Sequence, residues 1–260
     1  MVQGIETAAA GMVSIIDRND IIANNLANTN TVGFKQLMPS FKNIHDVDVQ
    51  VKNIDDPASP GMKKIGTLSA GCALDATQLD FAQGALKQTG RSLDVALDGE
   101  GFFRVKNDSG EYYTRNGSFS LNEEGDLITR SGDLVLNNSG GTINIDITGR
   151  SMEDVTITKD GRIMHNDAEL DRLGIVDFAD KTKLKMKGHS LFENIDPKVK
   201  PVEPENYSVS QGFLEGSNAN VIKSMINSVE GSRIYETLSK VIRDSDQTLR
   251  KTVNEVGDVR

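Results

Sequence analysis

From Ile5, apolar or small side chains return at Ala8, Met12, Ile15, Asn19, Ile22 and Leu26. The steps alternate between three and four residues, a heptad seam that an α-helix lines up along one face and a strand cannot use. Asn19 is the one polar member, and an Asn in such a seam lowers stability while fixing register or partner number. The same spacing also suits a plain amphipathic helix lying on its own domain, and the spacing does not choose between the two.

The far end of the chain carries a second such pattern. From about Ser217 to Val256 there is no proline, and Ile222, Met225, Val229, Tyr235, Leu238, Ile242, Leu249 and Val256 trace an apolar stripe interrupted near Gly231 and Ser245. At ~1.5 Å per residue the two helices would run roughly 35 and 60 Å. Neither is stable alone in water, so each needs a partner for its stripe. The expectation is an α+β chain whose long N- and C-terminal helices pair in coiled-coil fashion around a central, mainly antiparallel β domain.

That β domain announces itself by a change of period. In "SLDVALDGEGFFRVKNDSGEYYTRNGSFSLNEEGDLITRSGDLVLNNSGG", Leu93, Val95 and Leu97 alternate with polar residues, as do Phe103 and Val105. Turn pairs such as Asp98-Gly99, Ser109-Gly110, Asn116-Gly117, Glu124-Gly125 and Ser131-Gly132 punctuate short strands. "DVTITKDGRIMHN" then reads as a hairpin around Asp160-Gly161. The resulting division is residues 1–35 with 215–260 as a helical inner domain, 36–75 as a linker, 76–200 as the β domain and 201–214 as a proline-rich connector. Within the linker, 44–66 holds Pro57, Pro60 and Gly61.

Charge and motifs narrow the function classes. The net charge is −9, which argues against a nucleic-acid partner. Residues 1–35 sum to −1 and 215–260 to 0, so the acidic excess lies in the middle and copies of the ends could pack without strong repulsion. Cys72 is the only cysteine, which rules out an internal disulfide and reads as an inert buried thiol. His45, His165 and His189 lack metal-site spacing. "GEGFFR" has Arg104 where a dinucleotide loop needs its third glycine, and it precedes a strand. No catalytic constellation, metal, cofactor or small-molecule substrate is expected. The start of the chain lacks the basic region and continuous apolar core of a secretory signal.

The string "ANNLANTNTVGFK" closes the first helix, with Leu26 as its last seam residue. Asn and Thr side chains there can bond the open backbone groups of a helix end, and Gly33 can take a turn other residues resist. One Gly or Asn suffices to stop a helix. The surplus of amides and hydroxyls points to contacts beyond it, with neighbouring subunits as the economical candidate.

The run Asn24, Asn25, Leu26, Ala27, Asn28, Thr31, Gly33, Phe34 and Lys35 resembles the N-terminal signature of the bacterial flagellar rod and hook proteins. "LDVALDGEGFF", "YYTRNGSF" and "GDLITRSG" are similar to the family's β-domain motifs. "QGFLEGSNANVIKSMINSVEGSRIYE", with Ser217, Asn218, Asn220, Met225, Arg233, Tyr235 and Glu236, is similar to its C-terminal segment. Three motifs in order span most of the chain.

The resemblance implies a non-enzymatic rod subunit, polymerising into the tube that carries torque from motor to hook around an export channel. Its partners would be copies of itself, other rod and hook proteins, and the flagellar export apparatus, which moves such chains out of the cytoplasm to the basal body without a cleaved signal. Assembly contacts would fall on the seam (Ile5, Met12, Ile15, Asn19, Ile22), on the 24–35 run, and on Ser217–Glu236 with Val229, Leu238 and Ile242. The 44–66 insert resembles the distal rod and "RLGIVDFADKTKL" the proximal rod, with the distal reading favoured. The alternative is a soluble coiled-coil adaptor carrying a β interaction domain.

Overall fold

The computed structural model describes residues 2–44, 46–52, 62–69, 71–145, 155–165 and 168–257. His45, the Pro57, Pro60 and Gly61 of the expected linker, and the Asp154 and Asn166 ends of the expected hairpin lie outside the described residues. The chain divides into two compact units. One comprises Met1–Asn24, Leu37–Gln78 and Ile222–Arg260; the other comprises Asn25–Gln36 and Leu79–Val221.

The first unit contains helix α1, Val2–Ala27, up to its last turn, and helix α2, Val221–Gly257, after its first residue. Helix α2 runs unbroken through Gly231 and Ser245, because a single glycine costs a helix only ~1 kcal/mol. The seam of α1 is covered along its length: Ala8 and Ile22 are buried, and Ile5, Met12, Ile15 and Asn19 are half-buried. Ser14 donates from Oγ to the Cys72 carbonyl at 2.6 Å, and the half-buried Cys72 thiol lies 3.4 Å from the same Oγ. That contact ties α1 to the strand Cys72–Leu79, which pairs with Leu37–Asn43.

The expected coiled-coil pairing of the two helices is overturned. Met225 is 51% exposed, Val229 54% and Ile222 70%, so the N-terminal part of the α2 stripe faces away from the chain. The covered line is instead Ser224, Ser228, Gly231, Ile234, Leu238 and Ile242, small and polar in its first half. Gly231 lies directly against the Asn19 side chain, and a Cβ there would collide with it. Gly11 meets Leu238, and Arg18 reaches Glu230 at 3.5 Å. Small residues permit close local approach but supply no knobs for a continuous heptad interface.

The expected linker contains a β-hairpin, Asp46–Lys52 with Met62–Ser69, in antiparallel register from Asp46↔Ser69 to Lys52↔Met62. It belongs to the first unit.

The second unit is β throughout its body. Its main sheet runs in the order Leu184–Gly188, Leu191–Asn194, Gly110–Thr114, Phe102–Asn107, Leu134–Val135, Leu127–Thr129, Phe119–Leu121, and Ile175–Val176 also pairs with Phe102–Asn107. A second sheet holds Val155–Ile157, Arg162–His165 and Ala168–Arg172, its first turn closed at Gly161. The stretch expected as a connector supplies two further strands: Tyr207–Gln211 pairs with Val95–Gly99, and Phe213–Glu215 with Leu86–Gln88.

The two-residue period sorts the core onto both faces of the main sheet. Phe103, Val105 and Tyr112 join Leu97, Leu127, Val135, Ile143 and Ile163 on one side. Phe102 and Tyr113 join Val176, Phe178, Leu184 and Phe192 on the other. Phe102 packs edge-on to Phe81 and Phe192 at centroid distances of 5.5 and 5.6 Å.

Burial, with Glu111 beside it, pushes the Tyr113 phenol up to about 12, against the usual 10.0; Arg104 opposes the shift. The folded phenol therefore keeps its proton where the unfolded one loses it, and stability falls as pH rises through that window. Tyr113→Phe should gain on the wild type between about pH 9 and about pH 11.5 in urea denaturation. Parallel curves would show that Tyr113 does not titrate this way.

Candidate functional site

The turn that ends α1 folds back into its own β unit. Thr29 donates from Oγ1 to the Leu26 carbonyl at 2.9 Å, closing the helix end. Thr31 donates to Asn28 Oδ1 at 3.1 Å, and its amide bonds the Asn28 carbonyl at 3.1 Å. Ser190 donates to the Val32 carbonyl at 3.1 Å. Phe34 is buried. Much of the polar surplus read from the sequence is thus engaged within the chain.

Gly33 holds φ at +67°, and its amide donates to the Glu215 carbonyl at 2.8 Å. A Cβ at this position would fall 2.6 Å from the Arg115 carbonyl carbon, a backbone atom that cannot move aside. Glycine is required for both reasons. Gly33→Ala should cost at least about 1–2 kcal/mol from the left-handed backbone alone. A thermal melt unchanged from wild type would contradict the arrangement.

Two residues beyond, the Lys35 ammonium is 1% exposed. It donates to Glu215 Oε1 at 2.7 Å and to the Ala82 carbonyl at 2.8 Å. Glu215 is fully buried, and its other oxygen takes Arg115 at 3.3 Å while Oε1 also accepts the Gly84 amide at 2.9 Å. Arg115 donates in turn to the Gly99 carbonyl at 2.9 Å and stands over the Phe102 ring at 5.3 Å. One carboxylate thus binds two cations and a backbone amide. Burial pushes the Lys35 ammonium below its ordinary value, and Glu215 pulls against that shift.

Asn218 completes the node. Its Oδ1 accepts the Gln36 amide at 2.7 Å, and its Nδ2 donates to the carbonyls of Asp80 at 2.7 Å and Ala82 at 3.1 Å. The Asp80 amide donates to the Gln36 carbonyl at 2.9 Å. Chain segments from 33–36, 80–84, 115 and 215–218 therefore meet at one buried point. Such a site holds backbone segments in place; no nucleophile and base are paired in it.

Of the residues singled out from sequence, Gly33, Lys35 and Asn218 come together here, with Phe34 buried beside them in the chain. Asn25 is buried, while Leu26, Asn28, Thr31 and Ser217 are half-buried. Asn24 and Asn220 are at the surface, as are Met225, Val229, Arg233, Tyr235 and Glu236; Leu238 and Ile242 are half-covered. Sequence reasoning missed Glu215 and Arg115. Each stood inside a quoted motif, "QGFLEGSN" and "YYTRNGSF", but a lone acid and a lone base far apart carry no local sign of pairing.

Of the node's residues, Gly33, Lys35, Arg115, Glu215 and Asn218 fall inside segments that match known proteins. Residues 6–35 match the model described as flagella basal body rod protein, 96–165 the flagellar hook protein FlgE/F/G D1 domain, and 210–255 the flagellar basal body rod FlgEFG protein C-terminal. Flagellar basal-body rod protein FlgG of Bacillus subtilis is 32% identical over 98% of this chain and 99% of its own length. This chain belongs to the flagellar basal-body rod protein family. Flagellar basal-body rod protein FlgF of Caulobacter vibrioides is also 32% identical, over 92% of each chain, and FlgG of Agrobacterium fabrum 32%, over 94% of this chain. The chain is accordingly a structural subunit of the rod, placed in the flagellar basal body. The node just described lies where two of the family's three matched segments end or begin, at Lys35 and near Glu215.

Proposed function

We propose that this rod protein builds the distal part of the rod, polymerising with copies of itself and meeting other rod and hook proteins at the ends of its stack. The observation that carries the assembly reading is the outward apolar face of α2. Ile222, Met225, Ile226 and Val229 are each more than half exposed on consecutive turns, a patch that a free chain gains nothing by displaying. The contacts fall on the side chains that the chain itself leaves exposed, foremost Met225, Val229, Arg233, Tyr235 and Glu236 on α2. Support for the distal position comes from the paired strands Asp46–Lys52 and Met62–Ser69, which fall largely within the 44–66 insert that resembles distal-rod proteins. Export proceeds through the flagellum's own apparatus, and the role is mechanical rather than enzymatic.

Val229→Asp tests this directly. The side chain is 54% exposed, so the variant should fold and melt like the wild type. Cells carrying it should lose motility, and the chain should vanish from purified basal bodies. Normal incorporation would sink the assigned face.

A further inference from the structure

We infer that the hairpin Phe119–Leu121/Leu127–Thr129 carries a plug at one end and a socket at the other, joining successive copies of this chain head to tail. This rests on the assembly reading above. The socket is a cleft of about 290 Å³ lined by Arg91, Ser118, Phe119, Ser120 and Arg130. Among the described residues no carboxylate lines it, although the protein as a whole carries −9. Arg91 makes one long ion pair, 3.7 Å to the buried Asp94, and donates to the Phe119 carbonyl at 3.4 Å, so Arg130 is the freer of the two cations. Arg130 is exposed and has no hydrogen bond or ion pair among the described residues. A guanidinium fork beside two hydroxyls suits a carboxylate.

The plug is the turn Asn122–Asp126. Asn122 Oδ1 accepts the amides of Glu124 and Asp126 at 3.0 and 2.7 Å, and Asn144 donates to the Glu124 carbonyl at 2.9 Å and to Asp126 Oδ1 at 2.8 Å. The turn is pre-shaped, so little ordering cost attends its docking. Asp126 is occupied, but the exposed Glu123 and Glu124 carboxylates make no ion pair with any described residue.

The register fixes where these features lie. Leu121↔Leu127 is the pair next to the turn, and Phe119↔Thr129 is the pair next to Arg130. Plug and socket therefore sit at opposite ends of one hairpin and cannot meet within a chain. Between copies they fit, acid to base, as a heterologous contact. Where the rotation between copies does not close into a ring, repetition of such a contact gives an open series, the geometry a polymer requires. It also answers a problem of composition: stacked acidic middles repel unless part of their charge is neutralised across the contact.

Cross-linking in purified basal bodies tests the contact. Ser118→Cys and Glu123→Cys placed in one chain are too far apart for an internal disulfide, so under mild oxidation they should give a ladder of multimers that neither single variant gives. Arg130→Glu should lower incorporation into basal bodies by about tenfold, and adding Glu124→Arg to it should restore most of that loss. If the wild-type chain is present in the basal bodies but no ladder forms, or Arg130→Glu incorporates normally, the contact is wrong and the rod reading stands. If the wild-type chain is absent from them, the rod reading itself falls and takes this contact with it.

Discussion

Replacing Glu215 with glutamine is expected to destabilise the protein by about 3–5 kcal/mol, the cost of leaving buried charge uncompensated. The substitution preserves shape and one acceptor, so the loss reports charge rather than packing. Glu215 is fully buried between Lys35 and Arg115, and its removal strands two cations. Lys35→Met should cost less, because Arg115 and Glu215 remain a neutral pair. The predicted order, Glu215→Gln worse than Lys35→Met, is checked by urea denaturation at neutral pH. Equal costs would mean that the two cations do not share the carboxylate. The pH dependence carries a further sign. Lys35 is already held below its usual 10.5, and losing Glu215 lowers it further. Between that lowered value and 10.5 the unfolded state binds more protons, so stability rises with pH in this window. The deficit of Glu215→Gln should shrink as alkali removes the stranded proton.

Phe102→Ala is the second large effect, expected at about 3–5 kcal/mol. Phe102 is fully buried, touches the Phe81 and Phe192 rings edge-on, and packs against Phe178 at 6.2 Å. Three aromatic rings pack around this one in a chain with few aromatics, so the cavity has little to collapse into it. Arg115 stands over the same ring, which couples this substitution to the charge node. A double variant with Glu215→Gln should therefore fall short of, or exceed, the sum of the singles by more than about 0.5 kcal/mol. Strict additivity would show that ring and node act independently.

How far the sequence revealed these features depended on their range along the chain. The α1 seam was legible because its 3,4 spacing is local, and the coverage of Ile5 through Leu26 follows from it. The β turns were legible because Gly99, Gly110, Gly125, Gly132 and Gly161 all take positive φ, a demand that glycine meets and other residues resist. The α2 stripe misled, since apolar period alone does not say which face is covered. There the chain covers Ser224, Ser228 and Gly231 and turns Met225 and Val229 outward. Similarly, prolines in 201–214 suggested a connector, but Tyr207–Gln211 lies beyond Pro204 and is free to pair. The node was the least legible part. Lys35 and Glu215 are 180 positions apart, and their pairing exists only once the strand Phe213–Glu215 has found Leu86–Gln88.

The bond between the Asp80 amide and the Gln36 carbonyl has an evolutionary consequence. It brings the two ends of everything between them, residues 37–79, to neighbouring positions, and Asn218 clamps both. A segment that leaves and re-enters at one point behaves as a cassette. It can lengthen, shorten or be exchanged while the β unit keeps its strands and its buried charges. Relatives that differ in size would then differ there first, and a short glycine bridge from Gln36 to Asp80 should leave a folded β body behind.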